Sequence, residues 1–311
     1  MGPPFSPHSP QAQSIAAVFS LVLVIAAAVF LVVACGVIYS SLRYRWRGDS
    51  QEPRQRFGSR GLEVLWTVIP LLIVTGLFIV AVRAMVFIDA PQDSRRPPDL
   101  VIIGHQWWWE ARYPNDRYPS GVVATSDIHI PASRRLLVRI ESADVIHDFW
   151  VPNLARKMDA VPGRPSYIWL EADTPGTYQG ACSEFCGAQH AWMRFRVIAE
   201  PESSFNAWLA RQAQPPPEAT GVAVEGAQLF RTKKCDECHA IGRTEVVVAK
   251  GPDLAHLASR EFLGGGISRN TRENLALWLT DPQAAKPGNR MPDTPLSASE
   301  VRSLLAYLET L

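Results

Sequence analysis

The sequence predicts a multidomain chain: a two-helix transmembrane hairpin, then an all-β barrel or sandwich, then a small all-α unit. Three observations predict that order. Two long apolar runs lie before residue 89, short β-rich segments fill the hundred residues after Leu100, and helical patterning begins after Gly221, beyond a Pro-rich stretch. The expected boundaries are 1–98 for the N-terminal segment and hairpin, 99–211 for the β domain, 212–220 for the linker and 221–311 for the helical domain.

Ile15 to Tyr39 is an uninterrupted apolar run of 25 residues, and Val64 to Val82 is a second of 19. Each is long enough to cross a hydrocarbon core as a helix, so spans of about 15–40 and 62–88 are expected. Pro70 interrupts the second run, which a membrane helix tolerates when neighbouring groups satisfy the freed carbonyl. No Lys, Arg, Asp or Glu occurs between Gly2 and Leu42, so a basic signal-peptide n-region is missing even though Val32-Val33-Ala34-Cys35 loosely resembles a lipoprotein cleavage site. A retained helix with Cys35 as a packed thiol is the better reading. Between the runs lie Arg43, Arg45, Arg47, Arg54, Arg56 and Arg60 against only Asp49 and Glu52. By the positive-inside rule this loop is cytoplasmic, so both termini and everything after about Ile88 lie outside the cytoplasm. Glu63 stands at the cytoplasmic start of the second span, where an acid complements the helix dipole or loads protons at a membrane boundary.

The external part begins with candidate strands at Val101–Ile103, Leu136–Ile140 and Ser166–Leu170, separated by Pro, Gly and Asp turns. About a hundred residues built this way suggest a β-sandwich or Greek-key barrel. Ser204 to Arg211 reads as a short closing helix, and the following Pro-Pro-Pro stretch as a semi-rigid, exposed linker. Helices are then expected over Glu225–Arg231, Arg272–Thr280 and Ser299–Leu308, the last capped by Ser297 or Ser299 with Glu300 in its first turn.

A formal net charge of +1 over 311 residues excludes a nucleic-acid partner, since phosphate binding needs a basic surface. Acidic and basic residues roughly balance in both external domains, so no strongly acidic docking face is expected. The five cysteines do not make a disulfide framework. Cys35 is alone, and the other four form two close pairs beside histidines, which points to cofactor chemistry.

Cys235-Asp236-Glu237-Cys238-His239 is C-x-x-C-H, the attachment signature of c-type haem. Both thiols face one side of a helical turn, and His239 follows as an iron ligand. Zinc would need a second cysteine pair or a His cluster downstream, and neither is present. For the sixth ligand, Met291 is preferred over His256, which lies only seventeen residues past His239; thioether ligation raises the potential.

Cys182, Cys186, His190 and Met193 place S, S, N and S donors in one loop, and His147 lies 35 residues upstream. Thiolate, imidazole and thioether together favour copper, and two cysteines can bridge a copper pair. A disulfide would leave both histidines unexplained, and a tetrahedral zinc would leave Met193 unexplained.

With these motifs assembled, the chain resembles subunit II of the haem–copper cytochrome c oxidases, in the bacterial caa-type variety with a cytochrome c domain fused at the C-terminus. The resemblance runs from the hairpin through C-S-E-F-C-G-x-x-H-x-x-M to the haem domain, and its copper motif is highly specific. It implies a cupredoxin barrel followed by a class I cytochrome c domain. It also implies a dinuclear copper A centre bridged by Cys182 and Cys186, with His147, His190, Met193 and the Glu184 backbone carbonyl as terminal ligands. The Glu184 side chain is implied to share a magnesium ion with subunit I. Trp107, first of the Trp107-Trp108-Trp109 stretch, is implied to carry electrons between copper and haem a, and Glu63 to mark the entrance of a proton channel. Gly251-Pro252 should orient His239 through a carbonyl, and Gly226 with Tyr307 should form the contact between terminal helices.

The resemblance further implies a translocase-class cytochrome c oxidase in a bacterial plasma membrane, with this chain as a subunit that binds no oxygen. Its partners would be subunit I, other oxidase subunits, and a cytochrome c or quinol–cytochrome c reductase as donor. The alternative is a membrane-anchored copper and haem c carrier without an oxidase; the two-span hairpin, Glu63 and Glu184 favour the oxidase. Seven histidines are too few for a nitrous oxide reductase, and quinol oxidase relatives lack these copper ligands.

Overall fold

The computed structural model describes residues 6–45, 48, 58–91, 96–114, 116–118, 121–242 and 250–311. They divide into two compact units, Gln13–Asp89 on one side and residues up to Ala12 with Ala90–Leu311 on the other.

The first unit contains most of α1 (Pro10–Arg43) and all of α2 (Arg60–Ile88), both long and apolar enough to cross a membrane. Each outruns its expected span. An uninterrupted stretch of residues compatible with helix lets α1 continue from Pro10 to the first arginine, and α2 starts at Arg60, just after Ser59 in extended conformation. Pro70 sits inside α2 without ending it. Apolar side chains project outward along both helices, Phe30 at 70% and Val32 at 74% exposure. In a membrane-anchored chain this is the expected pattern, because lipid rather than protein covers them. Of the loop charges, Arg47, Asp49, Glu52, Arg54 and Arg56 lie outside the described residues.

In the second unit ten strands form two five-stranded sheets. The first contains β1 (Leu100–His105), β2 (Trp108–Arg112), β3 (Val123–Thr125), β5 (Leu136–Ser142) and β8 (Ser166–Leu170), in the order β3-β2-β1-β5-β8. The second contains β4 (Asp127–Pro131), β6 (His147–Trp150), β7 (Met158–Ala160), β9 (Gly176–Cys182) and β10 (Arg194–Glu200), in the order β4-β10-β9-β6-β7. β1 pairs in parallel with β5, and β4 with β10, while the other ladders are antiparallel. Alternation along β4 buries Ile128 and Ile130 while leaving Asp127 and His129 partly exposed, as a half-buried strand requires. The β domain is the cupredoxin-like sandwich implied above. Its centre is aromatic: Trp109 meets Phe149 and Phe195 edge-on at 5.5 and 5.4 Å, and these two stack at 4.6 Å. Trp108 and Trp109 are both core residues, at 8% and 0% exposure.

Helix α3 (Glu202–Gln212) closes the sandwich by burying Phe205, Trp208 and Leu209. The cytochrome-type unit follows, with α4 (Val222–Thr232), α5 (Arg272–Thr280), α6 (Pro282–Ala285) and α7 (Ala298–Leu308). Ser297 caps α7 in a reciprocal box with Glu300, satisfying two otherwise unpaired N–H groups. Helices α4 and α7 cross at Gly226, where a Cβ would lie 2.0 Å from the Ser303 carbonyl and 2.6 Å from Tyr307 Cβ. Only a residue without a side chain permits that approach. Phe230 and Tyr307 pack beside the crossing at 5.9 Å, and Leu304, Leu305 and Leu308 fill the core between the helices.

Candidate copper and haem sites

The copper donors are assembled by two strands and one loop. β6 pairs with β9 at Phe149–Cys182, which brings His147, at the start of β6, to the end of β9. The chain then turns through Glu184 and Cys186 into a 3-10 turn at His190–Trp192, and Met193 precedes β10. Cys182 and Cys186 are free thiols with Sγ atoms 3.7 Å apart. His147 Nδ1 is 3.9 Å from Cys182 Sγ, and the Glu184 carbonyl oxygen is 3.2 Å from the same sulfur. His190 Nδ1 and Met193 Sδ each lie 3.7 Å from Cys186 Sγ. Six donor atoms thus surround one small volume, and His147, Cys182 and Cys186 are buried. The Glu184 side chain is exposed while its carbonyl points inward.

Electrostatics prepare the sulfurs for a metal. A hydrogen bond from Cys186 holds Cys182 well below the usual thiol range, with further help from His147 and backbone groups against the cost of burial. The Cys186 proton is correspondingly held more tightly. A thiolate is the ligating form of cysteine, so the loop presents one readily even before metal arrives. Burial opposes charge on His147, but hydrogen bonds with Asp144 and Cys182 carry its pKa upward.

Asp144 is a residue the sequence reading passed over. Its Oδ1 lies 2.8 Å from His147 Nε2, which leaves Nδ1 directed at the sulfurs. Its Oδ2 accepts the Gln106 N–H at 2.8 Å. A carboxylate behind a ligating imidazole fixes ring orientation and tautomer. The signal was present three residues before His147, but an Asp in a turn is too common to single out.

Trp107 is half-buried, and its Nε1–H donates to the Cys186 carbonyl at 3.0 Å. Gly187 of the copper loop lies against the ring, and the helical unit adds the Lys286 ammonium on the Trp107 carbonyl at 3.2 Å and the Arg290 guanidinium 5.5 Å from the ring centre. The indole thus lies against the copper loop and has the helical unit beside it.

In the helical unit, Cys235, Cys238 and His239 follow α4 in one tight turn, with the His239 N–H on the Cys235 carbonyl at 2.9 Å. His239 Nδ1–H donates to the Pro252 carbonyl at 2.8 Å, so Nε2 is the nitrogen left for iron. A Cβ on Gly251 would lie 2.7 Å from His239 Cε1, so the ring packs directly on the backbone. Both thiols are free. This turn fits haem c. His256 Nε2 lies 3.1 Å from the Gln212 carbonyl, an engagement with the end of α3 rather than with His239. Met291 lies in the loop between α6 and α7, its N–H fixed by Asn289 Oδ1 at 2.7 Å. Asn289 is itself tied to the Lys286 carbonyl at 2.8 Å, so the loop is internally braced.

Glu63 belongs to the hairpin unit, exposed in the first turn of α2.

Three family descriptions match the chain in sequence: "Cytochrome C oxidase subunit II, transmembrane domain" over residues 6–85, "Cytochrome C oxidase subunit II, periplasmic domain" over 120–200, and "Cytochrome c" over 223–311. Among curated relatives, cytochrome c oxidase subunit 2 of Alkalihalophilus pseudofirmus is 36% identical, covering 98% of this chain and 89% of the relative. The subunit 2 proteins of Bacillus sp. strain PS3 and Bacillus subtilis are 32% and 30% identical, covering 86% and 85% of this chain and 79% and 78% of theirs.

Proposed function

The chain belongs to the cytochrome c oxidase subunit II family, and from that premise we propose that it is the electron-input subunit of a caa-type oxidase. Haem c would supply a one-electron site for a cytochrome c or quinol–cytochrome c reductase, and a dinuclear copper A centre would supply the link to haem a of subunit I, where oxygen reduction is coupled to proton pumping. Cys235 and Cys238 would hold the porphyrin as thioethers, and His239 and Met291 would ligate its iron. Cys182, Cys186, His147, His190, Met193 and the Glu184 carbonyl would hold the coppers. The exposed Glu184 carboxylate is free to share a magnesium ion with subunit I, and Glu63 stands at the entrance of the proton channel.

The single observation that carries this reading is the convergence of two free thiols, two imidazoles, a thioether and a carbonyl on one small volume, with His147 supplied by β6 and the rest by the Cys182–Met193 loop. A disulfide is inconsistent with sulfurs 3.7 Å apart. Trp107 carries electrons between copper and haem a in this reading, supported by its Nε1–H on the Cys186 carbonyl at 3.0 Å. The hairpin anchors the subunit in the bacterial plasma membrane with both metal domains on the extracytoplasmic face.

Metal and haem analysis of the purified full-length subunit within its complex tests the proposal. Two coppers and one haem c per chain, with a mixed-valence copper EPR signal, are expected. One copper, or zinc in its place, sinks it. Copurification with a large haem-bearing subunit separates the oxidase from a free-standing carrier.

A further inference from the structure

The relay needs the two centres near each other, and a set of hydrogen bonds between the copper loop and the cytochrome unit bears on that. Gln189, next to His190 in the copper loop, is 2% exposed, and its Nε2 donates to the carbonyls of Lys286 at 3.1 Å and Pro287 at 2.6 Å. Lys286 is 3% exposed, and its Nζ donates to the carbonyls of Trp107 at 3.2 Å and Gly264 at 3.1 Å. Gln106 Nε2 donates to the Cys186 carbonyl at 2.6 Å, and Gln106 Oε1 accepts from Arg290. Met291 is the next residue after Arg290. An unbroken run of hydrogen bonds therefore joins Cys186 to the segment that carries Met291.

A buried ammonium is unfavourable unless its donors are met, and burial pushes Lys286 down to about 8. Among the described residues it has no carboxylate partner, only the two carbonyls. A well-packed apolar side chain would serve plain cohesion better. What a lysine adds at this position is directionality, because its N–H groups require the Trp107 carbonyl to stand in one place. A second contact restrains the same boundary elsewhere. Arg196 on β10 pairs with Asp127 at 2.7 Å and with Glu261 of the cytochrome unit at 2.5 Å, and its guanidinium lies 4.5 Å from the Phe262 ring centre. Two separated contacts block rotation about either one.

We propose that Gln189 and Lys286 form an interdomain bridge that ties the Met291 loop to the copper loop, with Lys286 as a positioning residue for electron transfer between the two centres. The inference rests on the relay reading above and adds to it a fixed docked pose. In that pose the linker does not merely raise local concentration; the donor is held in register with Trp107 and Cys186. Tunnelling rates fall steeply with distance, so loosening the register slows the internal step without altering either centre.

The test uses the full chain assembled in its oxidase, comparing Lys286→Met and Glu261→Lys with the unmutated protein. Glu261 is exposed, so its reversal weakens the second contact without threatening the fold. Two readouts are taken: amide hydrogen exchange over residues 104–107 and 286–290, and oxidation of photoreduced haem c with matching copper reduction. The bridge predicts exchange about tenfold faster or more in K286M, and internal electron transfer about tenfold slower or more, with a smaller slowing in E261K. Copper EPR, haem c absorption and reduction of haem c by an external donor stay unchanged, which a general loss of structure would not allow. Unchanged exchange and unchanged internal transfer in both variants overturn the proposal. The exchange readout does not depend on metal content, so a chain lacking copper or haem c would overturn the relay reading while the bridge is still decided.

Discussion

His239 donates its Nδ1–H to the Pro252 carbonyl across 2.8 Å, with the preceding residue, Gly251, packed against the same imidazole. The pair fixes both the tautomer and the tilt of the ring. Gly251→Ala puts a methyl 2.7 Å from Cε1 and 3.0 Å from Nδ1, so the ring must move. We expect an altered haem c absorption spectrum and about 1–3 kcal/mol less stability of the cytochrome unit, the range typical of overpacking. Haem spectroscopy and denaturant unfolding check this, and an unchanged copper EPR signal shows the effect to be local.

On the copper side, Asp144→Asn keeps the shape beside His147 but removes the carboxylate 2.8 Å from Nε2. Loss of such a partner weakens metal affinity by about 10–100-fold. Competition with a copper chelator measures it. Haem content should not change.

Met193→Leu removes the thioether 3.7 Å from Cys186 Sγ while conserving volume. Because the residue is fully buried, the fold should tolerate the swap at less than about 1.5 kcal/mol. The copper EPR and optical spectra should shift, electron transfer through copper should fall by about tenfold or more, and the haem bands should remain as they were. Identical copper spectra would remove Met193 from the ligand set.

Glu300 gives a pH prediction. Its hydrogen bond with Lys233, then those with Ser297, hold the carboxyl down to about 2, against 4.5 for the free group. The folded state thus binds this proton less readily than the unfolded chain, and stability rises with pH across the interval. The contribution is fully present above about 4.5 and is lost as pH falls toward 2. In Glu300→Gln the thermal midpoint of the cytochrome unit should depend less steeply on pH in that window, as followed by haem circular dichroism between pH 2 and 5. An unaltered slope would remove this pairing as a source of acid sensitivity.

Much of this molecule could be read from residues close together in sequence. The C-x-x-C-H turn and the Cys182–Met193 loop each carry their geometry within a dozen residues, so spacing alone located them, and it narrowed the cap of α7 to Ser297 or Ser299, of which the structure uses Ser297. Strands β1, β5 and β8 were legible for the same reason, since β-rich composition bounded by turn residues is a local property. What escaped was set by contacts between distant segments. The parallel pairings of β1 with β5 and β4 with β10 have no sequence signature. Nothing near Lys286 in sequence marks it for burial, since its partners are the distant Trp107 and Gly264 carbonyls. That Lys286 and Arg290 would lie beside Trp107 was unreadable too, because they sit far along the chain from it.

The pairing of β6 with β9 has a further consequence for how the two centres come into being. The thiols that take the porphyrin are neighbours along the chain, so they are available to the attachment machinery on an unfinished, still unfolded polypeptide. His147 and Cys182 are 35 residues apart and meet only once those strands have closed, so the copper chelate exists only in the finished sandwich. Any excursion that parts β6 from β9 opens the chelate, while the porphyrin stays covalently in place.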